Sequence, residues 1–297
     1  LFSYKKINGI KNAKYRFPDV SEYSTSRTRA ILQIQQGCNH RCTFCIIPFG
    51  RGDAVSLPIG EISNRIKKIV EMGYREITFT GVDLTSFGED LPGKPKLGSM
   101  LRRLLSIHPN LMRVRLSSVD PAEIDEDLMY LFKYEKRLMP HLHLSLQSGD
   151  NLILKRMKRR HSREQVLEIC KKIKLTRPEM TFGSDVIVGF PSETEEDFME
   201  TFYLLDDLDI SYLHVFTYSE RENTKALKIN PVVPMHERIS RSKRLHKLSD
   251  KKRDTFYDNF IGEKKHTLFE STKNGKLVGH TDNYIKIHVN GDTSLIN

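Results

Sequence analysis

Ala30-Ile-Leu-Gln-Ile-Gln-Gln-Gly-Cys-Asn-His-Arg-Cys-Thr-Phe-Cys45 starts as a β-prone apolar run and breaks at Gly37 into a loop with three cysteines. A strand running straight into a chemically loaded loop suits an α/β fold, where reactive groups gather at the ends of parallel strands. Downstream the alternation continues. Residues 60–72 set Ile62, Ile66, Ile69 and Val70 on one helical face and stop at Gly73. Residues 75–80, 111–116, 142–146, 181–188 and 210–218 read as further strands, with helices over 98–107 and 125–134 between them. Ser162 with Gln165 predicts a capping box for a helix burying Val166, Ile169, Cys170 and Ile173. Ser192 with Glu195 predicts a second, opening a helix that buries Phe198, Phe202 and Leu205. Six strand–helix units imply a parallel sheet covered by helices: a partial (β/α)6 TIM-like barrel over residues 28–234, short of the closed eight-unit form.

The pattern changes on either side of this core. Residues 1–27 carry Pro18 and several Ser/Thr without periodicity, and read as an interdomain linker remnant. Residues 235–261 predict one long basic helix carrying Ile239, Leu245, Leu248, Phe256 and Phe260. Over 262–297, Ile285, Ile287 and Val289 alternate with Lys286 and His288, and Gly275 and Gly279 suit turns. This is a small β module that ends before a barrel closes. The chain opens on Leu1 instead of Met, and a part of a longer gene product is expected.

Of the 297 residues 48 are Lys or Arg and 38 Asp or Glu, a net charge of +10 that makes a polyanionic partner plausible. With 38% hydrophobic and 29% charged residues the chain can bury a sizeable core, and no apolar run approaches the ~18 residues of a membrane span. The first residues lack the layout of a signal peptide. Three of the four cysteines fall within eight residues, which suits a metal or cofactor site in a reducing cytoplasm better than a disulfide framework. Three thiolates so close can hold three irons of a cubane cluster on one loop and leave the fourth iron open. A structural zinc knuckle, completed by His40 or a distant His, uses the same residues. Cys170, on an apolar helix face, reads as a small buried hydrophobe.

Cys38-x-x-x-Cys42-x-x-Cys45 resembles the radical S-adenosylmethionine motif, and its surroundings resemble the methylthiotransferase branch of that superfamily over roughly residues 28–290. The matching pieces are Gln36-Gly-Cys-Asn-His-Arg-Cys-Thr-Phe-Cys-Ile-Ile-Pro-Phe-Gly-Arg-Gly52, Leu144-Ser-Leu-Gln-Ser-Gly-Asp150, Leu154-Lys-Arg-Met-Lys-Arg159 and Asp185-Val-Ile-Val-Gly-Phe-Pro-Ser-Glu193. Thr80-Gly-Val-Asp-Leu-Thr-Ser-Phe-Gly88 and Leu116-Ser-Ser-Val-Asp-Pro-Ala-Glu-Ile-Asp125 resemble the subfamily acting on N6-threonylcarbamoyladenosine beside the tRNA anticodon. Relatives acting on isopentenyladenosine usually carry Gln-Asn at Val82-Asp83.

The resemblance implies a partial radical SAM barrel followed by a truncated TRAM-like module. It implies a 4Fe–4S cluster on Cys38, Cys42 and Cys45, with S-adenosylmethionine as cofactor. Phe44 is expected against cluster or adenine; Thr80, Gly81 and Val82 at the methionine amine; Ser145 and Gln147 at the same mouth; Asp185, Ile187 and Gly189 near adenine and ribose. The six basic residues over 155–163 and the basic helix (Arg238, Arg241, Lys243, Arg244, Lys247, Lys251, Lys252, Arg253) are candidate phosphate surfaces; Arg159 is the candidate for the cofactor carboxylate. In the β module, Tyr284 is a candidate for base stacking. Partners implied are tRNA and an electron donor such as flavodoxin or ferredoxin, with a cytoplasmic, membrane-free monomer expected. Family members also carry an N-terminal domain with three more cysteines, whereas no cysteine precedes Cys38 here, so a fragment or split copy is expected. The alternatives are the isopentenyladenosine or ribosomal-protein aspartate substrates, or a catalytically silent RNA-binding remnant.

Overall fold

The computed structural model describes residues 17–20 and 28–297, so most of the expected linker lies outside the described residues. Phe17 and Val20 are buried in the main core. β1 (Arg29–Gln33) runs through Ile34 into the short β2 (Gln35–Gln36). Past the cysteine loop come α1 (Ile47–Arg51), β3 (Val55–Ser56), which pairs antiparallel with β2, and α2 (Ile59–Glu71). The alternation then proceeds through β4 (Glu76–Thr80), α3 (Leu97–Ile107), β5 (Arg113–Leu116), β6 (Ser118–Val119), α4 (Glu126–Tyr134) and β7 (His141–Gln147). It finishes with α5 (Asn151–Met157), α6 (Arg163–Thr176), β8 (Thr181–Val188), α7 (Glu195–Asp207) and β9 (Tyr212–Thr217). The long α8 (Met235–Asp258) leads to β10 (Thr267–Lys273), β11 (Lys276–Thr281) and β12 (Lys286–Val289).

β1, β4 and β5 pair in parallel, as do β6, β7, β8 and β9 in that order. β5 and β6 are one strand interrupted at Ser117, whose N–H still bonds Phe79 O at 3.0 Å. Six parallel strands therefore follow one another in sequence order, as the alternation predicts. Among the described residues β1 and β9 are the outer strands and do not pair with each other, so that no described strand closes the barrel between them. Helices cover the outer face because their apolar stripes match it: Ile62, Ile66 and Ile69 of α2 and Val166, Cys170 and Ile173 of α6 are buried.

Along each strand alternate residues face the barrel interior. Their identities change from the strand starts to the strand ends. At the starts sit Arg29, Glu76, Arg113, Arg115, His141 and Tyr212. Glu76 is fully buried, with Arg115 Nε at 2.8 Å, Arg113 Nε at 2.9 Å and Arg29 Nη1 at 3.9 Å. Arg115 spans further: its Nη groups donate to Thr281 O and Asp282 O at 2.8 and 2.9 Å, fastening the β10–β12 module beneath the barrel. Thr181 Oγ1 to Asn283 O at 3.0 Å and the Arg29–Glu270 pair at 2.9 Å complete the joint.

Three expectations need correction, and one helix, α5, is unanticipated. The α7 capping box is Thr194 with Asp197, not Ser192 with Glu195, because Ser192 sits at φ 68°, outside N-cap geometry. α5, hidden in the basic run, is N-capped by Asp150, whose Oδ1 accepts from Ile153 N at 2.8 Å. Gly279 lies inside β11, not in a turn; a Cβ there would meet Leu268 O at 2.2 Å, opposite the bulge between Phe269 and Ser271. On α8, Ile239 is exposed, while Arg238 and Arg241 are buried.

Replacing Glu76 by Gln leaves buried guanidiniums without a countercharge. Loss of one partner of such a set costs about 3–5 kcal/mol. We expect a lower urea midpoint together with faster proteolysis between α8 and β10, because the module loses the side chain that orients Arg115.

Candidate functional site

The cysteine loop leaves β2 at Gly37, whose φ of 69° and close approach to Asp53 O exclude a side chain. Cys38 N donates to Gly52 O at 3.2 Å and Cys45 N to Cys42 O at 3.1 Å. Thr43 ties the loop to two other segments: its N–H bonds Met157 O at 3.1 Å, its hydroxyl bonds Arg156 O at 2.8 Å, and its carbonyl accepts from Ala226 N at 2.9 Å. All three cysteines are half-buried free thiols. Burial and the neighbouring Asp83 carboxylate push the Cys38 thiol up to about 12, and burial raises Cys45 as well. Such thiols are poor nucleophiles by themselves; a coordinated metal supplies the positive charge that ionises them.

The expected site residues fall into two groups. Phe44 and Ile187 share an apolar cluster with Ile153, Met157, Phe190, Tyr218 and Ala226. Thr80, Gly81 and Val82 end β4, and Gly81 is pressed so close to Gln35 that a Cβ would stand 2.9 Å from Gln35 Oε1. That oxygen also accepts from Asp83 N at 2.8 Å. Ser145 and Gln147 end β7, where Gln147 is at φ 73° beside a break in the β7–β8 register. Arg159 donates to Ser145 O at 2.8 Å and to Asp120 Oδ2 at 2.7 Å, and its Nη1 lies 3.8 Å from Cys42 Sγ. Gly189, at φ 73°, donates its N–H to Glu193 Oε2 at 2.5 Å, and Glu193 is held by Arg241 at 2.9 Å.

Asp185 lies apart from this group. It faces the interior four residues before Gly189, about 13 Å of strand, and contacts His143 Nε2 at 2.8 Å and His214 Nδ1 at 3.3 Å. Asp185 therefore stands deeper along β8 than Gly189, beside His143 and His214. The sequence alone offers His40 only as a zinc ligand and gives Asp83, Asp120 and Glu193 no role in the site. His40 Nε2 lies 2.8 Å from Asp83 Oδ2, which also accepts from Ser86 Oγ at 2.8 Å. Although burial opposes it, the hydrogen bond and charge of His40 hold Asp83 below the usual carboxylate range.

Most of the expected phosphate-binding cations are engaged internally. Arg160 pairs with Glu123 and Arg163 with Glu200, and Arg156 donates to Ser192 O. On α8, Arg238 pairs with Glu220 at 2.6 Å and Arg244 with Glu195 at 2.5 Å, while Lys252 donates to Asp206 O and Leu208 O. Lys155, Lys158, Lys243 and Lys247 remain exposed. Tyr284 is stacked between His141 (4.5 Å) and His280 (4.9 Å), with Arg115 5.0 Å from its ring, so it is occupied within the module joint rather than presented for stacking on a base. Among the described residues no helix is long and apolar enough to cross a membrane.

Residues 32–205 match the family described as the Radical SAM superfamily. The chain belongs to this superfamily. It is 45% identical over 281 residues to the threonylcarbamoyladenosine tRNA methylthiotransferase MtaB of Rickettsia prowazekii, covering 95% of this chain and 66% of that protein. It is 37% identical to a tRNA-2-methylthio-N(6)-dimethylallyladenosine synthase of Clostridium tetani, covering 86% and 57%. The chain thus spans less than two thirds of these relatives' length. Among solved structures, the radical S-adenosylmethionine methyltransferase TsrM of Kitasatospora setae superposes with a TM-score of 0.55 at 13% identity, covering 66% of this chain and 38% of that one. Coproporphyrinogen III oxidase of Escherichia coli gives 0.51 at 17% identity, covering 82% and 54%. Both likenesses are of fold.

Asp120 supplies a pH test of the Arg159 anchor. Although burial opposes it, the His161 contact and the Arg159 charge hold Asp120 well below the usual carboxylate range. A depressed carboxylate contributes stability above its unfolded value of about 4 and loses it as pH falls. Asp120→Asn should therefore cost about 3 kcal/mol at pH 7, with the difference from the parent narrowing below about pH 4 in urea titrations.

Proposed function

We propose that this chain is the radical-generating core of a tRNA methylthiotransferase that replaces the C2 hydrogen of N6-threonylcarbamoyladenosine, beside the anticodon, with a methylthio group. The carrying observation is three free thiols on one loop, Cys38, Cys42 and Cys45, held at the C-terminal ends of a six-stranded open barrel. Similarity to the two tRNA-modifying relatives supports the substrate class. Val82-Asp83 supports threonylcarbamoyladenosine over isopentenyladenosine.

The donor set fits a 4Fe–4S cluster with one open iron better than a closed zinc site. Three soft sulfurs share one loop, and the nearby His40 is already engaged by Asp83 and Ser86. When bound, the cluster with S-adenosylmethionine supplies reductive cleavage of a sulfonium C–S bond and a radical able to take hydrogen from an inert C–H. The chain's own residues bind and orient. Cys38, Cys42 and Cys45 hold the cluster; Phe44 and Ile187 offer an apolar wall for adenine; Thr80, Gly81 and Val82 bring backbone groups close to the methionine end. Arg159, fixed by Asp120 and Ser145 O, presents charge beside Cys42 and toward the cofactor carboxylate. Ser145, Gln147 and Gly189 shape the same mouth, and Glu193 with Arg241 fixes the turn at Gly189. The exposed Lys155, Lys158, Lys243 and Lys247 are the cations left for tRNA phosphates, and an external protein such as flavodoxin or ferredoxin delivers the electron.

After anaerobic iron–sulfur reconstitution and addition of a chemical reductant, we expect 5′-deoxyadenosine from the parent chain. Cys38→Ala, Cys42→Ala and Cys45→Ala should each lower it at least a hundredfold and lose the charge-transfer absorption of the cluster. A fully loaded cluster that yields no product defeats the reading in favour of a silent RNA-binding role. Nucleoside analysis of tRNA from cells with and without the gene then identifies the base.

A further inference from the structure

We propose that His143, Asp185 and His214 form a divalent-metal site in the middle of the barrel, distinct from the cysteine loop. The residues stand on three adjacent parallel strands and turn inward at neighbouring heights, so β7 and β9 bring an imidazole to the carboxylate of the strand between them. His143 Nε2 lies 2.8 Å and His214 Nδ1 3.3 Å from the same atom, Asp185 Oδ1, and the ligating atoms all fall within 4.8 Å of one another. Metal–ligand bonds of about 2.0–2.2 Å separate donors by roughly 3 Å, so the two imidazole–carboxylate spacings already suit an ion, and the exposed His214 ring is free to turn and complete the set.

Three further observations favour a metal over a self-contained hydrogen-bond network. First, His143 is oriented from behind: its Nδ1 meets Tyr212 OH at 3.3 Å, and that hydroxyl meets His141 Nε2 at 2.9 Å. A ligating imidazole is characteristically fixed through its other nitrogen in this way. Gly183 makes the arrangement possible, since a Cβ there would stand 2.3 Å from the Tyr212 ring and 2.7 Å from His143 Nδ1. Secondly, the guanidiniums of the cavity are committed elsewhere, Arg29 to Glu270 and Arg115 to Glu76, which leaves imidazoles as the contacts of Asp185. Thirdly, the residues line a cavity of about 590 Å³, and the His214 side chain is 55% exposed on an outer strand, so an ion has both access and room for further ligands. Two imidazoles and one carboxylate on one side of an ion leave positions open toward that cavity, a set that suits Fe(II), Co(II) or Zn(II).

The test uses the full chain with Cys38, Cys42 and Cys45 all changed to Ser, so that thiolates of the loop do not compete, and cobalt(II) as the probe. One equivalent should bind with visible d–d bands and no sulfur charge-transfer band. His143→Gln, Asp185→Asn and His214→Gln should each weaken binding at least tenfold, and exposed His288→Gln should leave it unchanged. Circular dichroism checks folding; should a buried variant fail to fold, His214→Gln, on the exposed edge, still decides the question. No cobalt band in the folded protein, or a band indifferent to His214→Gln, overturns the site and shows that the three side chains only hydrogen-bond.

Discussion

The buried carboxylate of Glu76 organises the lower half of this molecule. A single buried carboxylate on β4 faces three arginines from the two strands beside it, Arg29 of β1 and Arg113 and Arg115 of β5, so the three strands share one electrostatic centre. Burial makes each member dependent on the others, since an ion stripped of water is tolerable only while its countercharge stays in place. Arg115 carries the constraint outward by donating to two carbonyls of the β module. The module is therefore fastened by side-chain hydrogen bonds to its backbone that the barrel's own ion cluster holds in position.

The upper half is organised by braces around a loop with no regular structure. The three cysteines depend on Thr43, which reaches both the end of α5 and the turn before α8, and on Arg159, which Asp120 anchors from the β6 side. The Gly189 turn is fixed through Glu193 by Arg241 of α8. Segments far apart in sequence thus converge on one mouth, and α8 contributes to the site through buried arginines.

The β/α alternation was legible because it rests on local periodicity: the Ile62, Ile66, Ile69 stripe and the Ser162–Gln165 box both have the predicted structure. The cysteine loop was equally plain, since its chemistry lies in spacing. Height along a strand was less accessible. The strand over 181–188 has the bounds its sequence predicts, but only its pairing with β7 and β9 reveals that Asp185 stands beside His143 and His214. Charge was misjudged for a related reason. A run of arginines looks solvated until Glu123, Glu200, Glu220 and Glu193 arrive from distant segments to pair with it. Asp83, Asp120 and Glu193 all lay inside recognisable motifs, and an acid held at fixed distance from a functional strand end was the signal available.

Among the described residues no strand bridges β1 and β9, and this has a consequence for traffic. A closed barrel admits only what passes through its mouth, and whatever enters must back out along the same path. Here the seam is bordered by exposed Ile31 and Phe216, apolar at both lips. Under the proposed function, a base carried on a polynucleotide is laid in sideways and withdrawn without threading its chain ends.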